Sequence, residues 1–140
     1  MSGDFLDSNI FVYLFDDADQ RKHHISREVV GRALDERSAT ISFQVVQETL
    51  NVITGKLRVP VRPSDAREFL VVTLASLWKV QPDLALYERA LELRQRYGFS
   101  FYDSLIIAAA IEAGCDRLLS EDLQHGQRIE SLVIEDPFRE

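Results

Sequence analysis

DFLDSNIFVYLF, residues 4–15, decides how the rest of the chain is read. Apolar residues lie on both sides of Asp7, the pattern of a short strand buried on both faces, and the chain turns at Asp7, Ser8 and Asn9. A central parallel strand fits this stretch, with Asp7 at its end and able to cap a helix beginning near Ile10.

Working outward, Gln20 to Arg37 is polar apart from Ile25, Val29, Val30, Ala33 and Leu34, which predicts a surface helix with one buried stripe. SATIS (38–42) is short and β-prone. It runs into FQVVQETLNVIT (43–54), where Val45, Val46, Thr49, Leu50 and Ile53 recur at helical intervals. Pro60 and Pro63 break the chain, and Ser64 can cap a further helix. That helix carries FLVVTLASLW (69–78), apolar on nearly every side, and so is either deeply buried or partly a partner surface. Trp78 to Gln81 predicts a third strand, and PDLALYERALELRQRYG (82–98) a helix with Pro near its start and Gly98 at its end. FYDSLIIAAAIEAG (101–114) predicts an apolar helix closing at Gly114. Arg117 to Ser120 and Leu132 to Ile134 complete the strands, with the polar turn EDLQHGQ (121–127) between them.

Strands alternating with helices call for a mostly parallel sheet with helices on both faces. At 140 residues the chain fits one domain, 1–140, with neither repeat nor linker. No apolar run approaches the roughly 20 residues needed to cross a bilayer, and MSGDFLDSN lacks the features of a signal peptide, so a cytoplasmic protein is expected. The lone cysteine, Cys115, sits in the turn AGCD as a small buried residue and is assigned no chemistry.

Four of the 23 acidic residues keep unusual company. Asp7 ends an apolar strand. Asp103 precedes Ile106 and Ile107 by three and four residues, so it shares a face with core residues. Glu48 falls between Val45 and Val52, at the border of an apolar stripe. Asp122 follows the strand RLLS. Each also has an ordinary role open to it: Asp7 as a helix cap, Asp103 as a first-turn acid favoured by the helix dipole, Glu48 as a surface charge, Asp122 as a turn residue. Because the four arise from separate elements, two at strand ends and two on helices that follow strands, one shared crevice beyond the carboxyl ends of the strands accounts for them together. Carboxylates without His or Cys suit hard, oxygen-loving ions, chiefly magnesium or manganese, and not zinc. The net charge of −7 ordinarily argues against a nucleic-acid partner. Two divalent ions in an acidic site would bring it to −3, making the acidity part of the chemistry.

FLDSNIFVY, VVQETLNVI, FYDSLIIAAA and LLSEDLQHG, in this order, together resemble the PIN-domain family, and most closely its VapC-type toxins of toxin-antitoxin pairs. The resemblance spans nearly the whole chain, and the closing VIEDPF looks like the family's last strand. It implies a three-layer, RNase-H-like α/β/α sandwich with a central, mostly parallel sheet. It also implies a metal-dependent endoribonuclease whose Mg2+ or Mn2+ is held by Asp7, Glu48, Asp103 and Asp122. Asn9 and Ser120 match the polar positions that accompany the acids and would orient carboxylates or the attacking water. Glu121 rivals Asp122, since one of two adjacent acids in a turn usually points to solvent. A toxin of this type further implies an antitoxin protein that occludes the crevice, and a homodimer.

Cationic candidates for substrate contact are Arg21, Lys22, Lys56, Arg58, Arg94 and Arg96, with His125 the histidine worth testing. Tyr13, Tyr102 and Trp78 lie in apolar runs and are expected in the core. A phosphohydrolase with an aspartyl intermediate would want a carboxylate where Asn9 stands. A phosphate-binding NTPase would need a Gly-rich loop ending in Gly-Lys-Ser/Thr, which is missing. Two readings stand beside the toxin: a noncatalytic binding or scaffold module, and a housekeeping RNA-processing nuclease.

Overall fold

The computed structural model describes residues 3–140; Met1 and Ser2, included in the single-domain expectation and in the opening segment, lie outside them. A mixed α/β architecture results, a six-stranded sheet in the order β3-β2-β1-β4-β6-β5 flanked by helices. The strands are β1 (Asp4–Leu6), β2 (Ala39–Ser42), β3 (Trp78–Val80), β4 (Arg117–Leu119), β5 (Arg128–Ile129) and β6 (Leu132–Glu135). All pairings are parallel except that of β5 with β6.

β1 is central as its sequence predicts, since Phe5 and Leu6 are fully buried and only a strand covered on both faces can bury two successive side chains. Its register sets Phe5 beside Thr40 on one side and Leu118 on the other. Just before β1, Gly3 lies against the Ser38 carbonyl so closely that a Cβ there would collide with it. Arg117 links three strands, its guanidinium donating to both carboxylate oxygens of Asp4 at the start of β1, at 2.8 and 2.7 Å, and to Glu135 at the end of β6, at 2.7 Å.

The helices are α1 (Ser8–Val12), α2 (Gln20–Glu36), α3 (Phe43–Gly55), α4 (Pro63–Phe69), α5 (Ala75–Leu77), α6 (Leu84–Tyr97) and α7 (Phe101–Glu112). α7 is the most deeply set: Ser104 to Ala110 are all buried, and its run of alanines permits close approach to α6. α6 ends at Gly98, whose φ of +80° is the left-handed conformation that glycine adopts without strain.

Four expectations are corrected. α1 starts at Ser8 and not near Ile10, because Asp7 caps it at once. Ser64 caps nothing: Arg62 occupies the cap position and Pro63 the first helical one, where its missing N–H costs no hydrogen bond. The apolar run after Phe69 is not plain α-helix but a π-helical segment, Leu70–Leu74, leading into α5. Part of that run faces outward, Val71 and Val72 being about 60% exposed, while Leu74 and Leu77 enter the core. The stretch between β4 and β6 also yields the two-residue strand β5, which folds back on β6 as a hairpin. Cys115 is buried as expected, and burial pushes its thiol up to about 11. Among the described residues no helix is long and apolar enough to cross a membrane.

Candidate active site

β1 and β4 lie side by side at the centre of the sheet, yet the chain leaves β1 towards β2 on one side and leaves β4 towards β6 on the other. At such a switch point the two connections diverge and open a crevice beyond the strand ends. Asp7 and Ser120 follow these two strands directly. The Asp7 amide extends the ladder by donating to Leu119 O at 3.0 Å, and the Ser120 amide donates to Glu135 O at 3.0 Å, so both residues inherit the rigidity of the sheet.

A crevice of about 360 Å³ opens there, lined by Asp7, Ser8, Gln44, Glu48, Asn51, Val52, Lys56, Asp103, Ile106 and Asp122. All four acids singled out from the sequence therefore face one cavity, delivered by the end of β1, by α3, by the first turn of α7 and by the turn after β4.

Asp7 has two roles at once. One carboxylate oxygen accepts the Ser8 N–H at 2.7 Å and caps α1; the other accepts the Ser120 hydroxyl at 2.7 Å. Burial pushes its pKa from 3.8 up to about 6. The hydrogen bonds from Ser120 and Ser8 restrain that rise, and the negative charges of Glu48 and Asp122 add to it. Ser120 Oγ also receives the Asp122 N–H at 3.2 Å. Asn9 Nδ2 donates to Asp122 at 3.2 Å and reaches Ser120 Oγ at 3.4 Å, while its carbonyl oxygen accepts the Glu121 N–H at 3.3 Å. Asn9 and Ser120 thus join the two strand-end acids through neutral groups.

Of the adjacent acids, Asp122 lines the crevice and Glu121 turns away from it. Glu121 accepts the Tyr13 hydroxyl at 2.7 Å and pairs with Lys22, whose own pKa is raised by that carboxylate. Glu48 accepts from Ser8 Oγ at 3.3 Å and from Gln44 Nε2 at 3.2 Å. Asp103 lies in the first turn of α7, where Ser100 is the cap and accepts the Asp103 N–H at 3.2 Å.

Ser8 was read from the sequence only as a turn residue, and Gln44 went unremarked. Gln44 precedes Glu48 by four residues on one helix, a spacing that puts the two side chains one above the other and could have marked it. Ser8 has no comparable signal beyond its place beside Asp7. Among the cations, Lys56 reaches the crevice, whereas Arg58 lines a separate hollow with Phe15 and Val59. Lys22 is engaged by Glu121, and Arg21 by the Phe138 carbonyl and Glu140. His125 accepts the Asp136 N–H at 3.0 Å through Nδ1, a backbone contact outside the crevice.

The donor set fits a hard divalent cation in kind: carboxylates with neutral oxygen and amide neighbours, without His or Cys. Two further features agree. Asp7 carries a destabilised buried charge that a cation would relieve, and Gln44 Oε1, on the crevice wall, is buried without a hydrogen-bond partner. Among the described residues, however, no three His, Cys, Asp or Glu side chains already stand close enough to hold one ion. Each of Asp7, Glu48 and Asp122 accepts from a neutral donor, so holding one ion between them would require side-chain rotation.

A comparison with curated proteins gives no significant match. Among solved structures, a toxin-antitoxin complex from Klebsiella pneumoniae superposes with a TM-score of 0.65 at 17% identity, covering 96% of this chain and 98% of that one. The VapBC2 complex of Rickettsia felis, bound to a DNA fragment from its promoter, gives 0.64 at 19% identity over 94% and 96%. VapC20 of Mycobacterium tuberculosis, described as a sarcin-ricin loop cleaving toxin, gives 0.61 at 20% identity over 83% and 87%. At these identities the likeness is one of fold. The PIN domain model itself matches residues 5–128, most of the chain and every acid of the crevice, and the chain belongs to the PIN domain family.

Proposed function

We propose that this protein is a divalent-metal-dependent endoribonuclease, the toxin of a toxin-antitoxin pair, working in the cytoplasm as a single domain. The observation that carries the reading is the delivery of Asp7, Glu48, Asp103 and Asp122 from four separate elements into one crevice at the sheet's switch point. Membership of the PIN domain family and the fold likeness to toxins of VapBC type support it.

In this reading Asp7, Asp103 and Asp122 hold Mg2+ or Mn2+ directly, and Glu48 does so directly or through water. When bound, such an ion supplies an activated water and steadies charge on the phosphate oxygens. The chain's own residues set the geometry. Ser120 and Asn9 hold the carboxylates of Asp7 and Asp122 at the crevice, and Gln44 and Ser8 hold that of Glu48, until an ion draws them together. Water attacks in place of the ribose 2'-hydroxyl, and departure of the 3'-oxygen would leave a 5'-phosphate and a 3'-hydroxyl.

The test is RNA cleavage by the purified protein in magnesium or manganese. EDTA should abolish it, re-added metal restore it, and Asp7→Asn should be inactive. Undiminished cleavage in EDTA, or by Asp7→Asn, would refute the proposal. The same chemistry serves a housekeeping nuclease. Arrest of growth on expression, relieved by a neighbouring antitoxin gene, separates the toxin from it, and an antitoxin partner and a homodimer belong to the toxin reading.

A further inference from the structure

Tyr102 was expected in the core and is not there: 65% of it is exposed, although it sits in one of the most apolar stretches of the chain. A large aromatic ring left in water calls for a reason, and its position supplies one. On α7, Tyr102 and Asp103 lie four and three residues before Ile106; Asp103 and Ile106 line the crevice, and Tyr102, not itself a lining residue, adjoins them on the same side of the helix. The backbone there is held firmly. Gln44 Nε2 donates to the Tyr102 carbonyl at 3.1 Å while also donating to Glu48, tying the base of Tyr102 to the crevice wall. The ring is backed by others: Phe101 meets it edge to face, with centroids 5.4 Å apart and planes at 72°, and Phe101 in turn lies nearly parallel to Tyr87. An aromatic surface steadied in this way loses little conformational freedom on binding.

Lys56, at the end of α3, also lines the crevice. Among the described residues it is the only cation that does so, and no carboxylate there forms an ion pair with it. An unpaired ammonium beside a group of acids is set for an anion brought in from outside.

We propose that Tyr102 stacks on a nucleobase of the bound RNA and Lys56 binds a backbone phosphate of the same strand. This deepens the nuclease reading and rests on it. An exposed ring recognises the π-face that every base offers, and only a base free of its own stack can present that face. The two contacts differ in physical character, which makes them separable. Stacking is insensitive to salt, whereas a phosphate contact releases a counterion and contributes about 0.7 to the slope of log K against log salt on a single strand.

The experiment measures binding of a fluorescein-labelled, mixed-sequence single-stranded RNA in magnesium, using the full chain carrying Asp7→Asn so that the RNA survives. In that background Tyr102→Phe should bind within about twofold of the parent. Tyr102→Leu should bind about 5- to 150-fold more weakly, the range for loss of one base–aromatic stack, with an unchanged salt slope. Lys56→Gln should lower the slope by about 0.7. Equal affinity of Tyr102→Leu and the parent overturns the stacking role. A loss confined to affinity for a protein partner assigns the ring to a protein interface and overturns it too. A parent that binds the single strand normally while the variants do not differ sinks this inference alone; a parent that binds no RNA overturns it too, and wild-type protein that leaves the single strand uncleaved in magnesium sinks the nuclease reading with it.

Discussion

Asp7→Asn should make the metal-free protein more stable while abolishing its activity. Burial raises the Asp7 pKa from 3.8 to about 6, so the folded protein binds this proton more tightly than the unfolded chain does. Between those two values stability therefore falls as pH rises, and above about pH 6 the loss is complete. At about 1.4 kcal/mol per pH unit the interval amounts to about 3 kcal/mol at neutral pH. Asparagine has the same shape without the charge and should recover most of that. Some is offset at Ser120, whose Oγ already receives Asp122 N–H and Asn9 Nδ2 and so must direct its own proton at residue 7. An amide nitrogen facing that proton forfeits a charge-assisted hydrogen bond, so the net gain should be about 1–3 kcal/mol. Urea denaturation in EDTA at pH 7 measures it directly, and repetition at pH 4, where wild-type Asp7 is protonated, should shrink the difference towards zero. Saturating magnesium should stabilise the wild type and leave the variant unmoved. An Asp7→Asn protein less stable than wild type by more than about 1 kcal/mol in EDTA, or a difference indifferent to pH, would refute the reasoning.

Other perturbations follow from the same contacts. A metal-ligating Asp7, as proposed, would bind in its ionised form, so at limiting metal the cleavage rate should fall as pH drops through about 6, and extra magnesium should move that limb to lower pH. Ser120→Ala removes a hydrogen bond that holds the Asp7 pKa down, so the limb should shift to higher pH with a 10- to 100-fold loss in metal affinity or activity, on the order expected for a ligand-orienting partner; an unshifted profile would separate Ser120 from the site. Glu121→Gln should leave cleavage within a few-fold of wild type, because that side chain is engaged with Tyr13 and Lys22 away from the crevice, and a loss matching that of Asp122→Asn would reverse the choice between them. Phe5→Ala, at the fully buried centre of β1, should cost about 3–5 kcal/mol in denaturant, and a cost below 1 kcal/mol would contradict the position given to that strand.

The central strands and the long helices were legible because each carries its own period: Phe5 and Leu6 flanking a turn, Val45 to Ile53 at helical spacing, the alanine-rich run before Gly114. Of the four acids that face the crevice, Asp7 and Asp103 stood out by interrupting apolar patterns, whereas Glu48 only bordered a stripe and Asp122 lay in a polar turn, marked by the strand before it. What escaped was information held in three dimensions or in the backbone alone. The π-helical register of Leu70–Leu74 leaves no mark on side-chain spacing, and two-residue β5 is too short to show a period. Ser64 misled because a good capping residue beside a proline loses the cap position once Pro63 takes the first helical one. Tyr102 misled because hydrophobicity marks a residue as fit for the core without saying which side of a helix meets it. Gln44 shows the opposite: its spacing from Glu48 was visible, but its second bond, to the Tyr102 carbonyl 58 residues away, exists only in the fold.

The central claim is that four carboxylates, spread apart in the present arrangement, close on a divalent cation that RNA cleavage requires. Crystals soaked in manganese test it most directly. Anomalous density should appear in the crevice with Asp7, Asp103 and Asp122 rotated to about 2.0–2.2 Å from the ion and Glu48 bound directly or through a water, and it should vanish in Asp7→Asn. Manganese bound elsewhere, or a crevice left empty at saturating metal while the protein still cleaves RNA, would contradict the account.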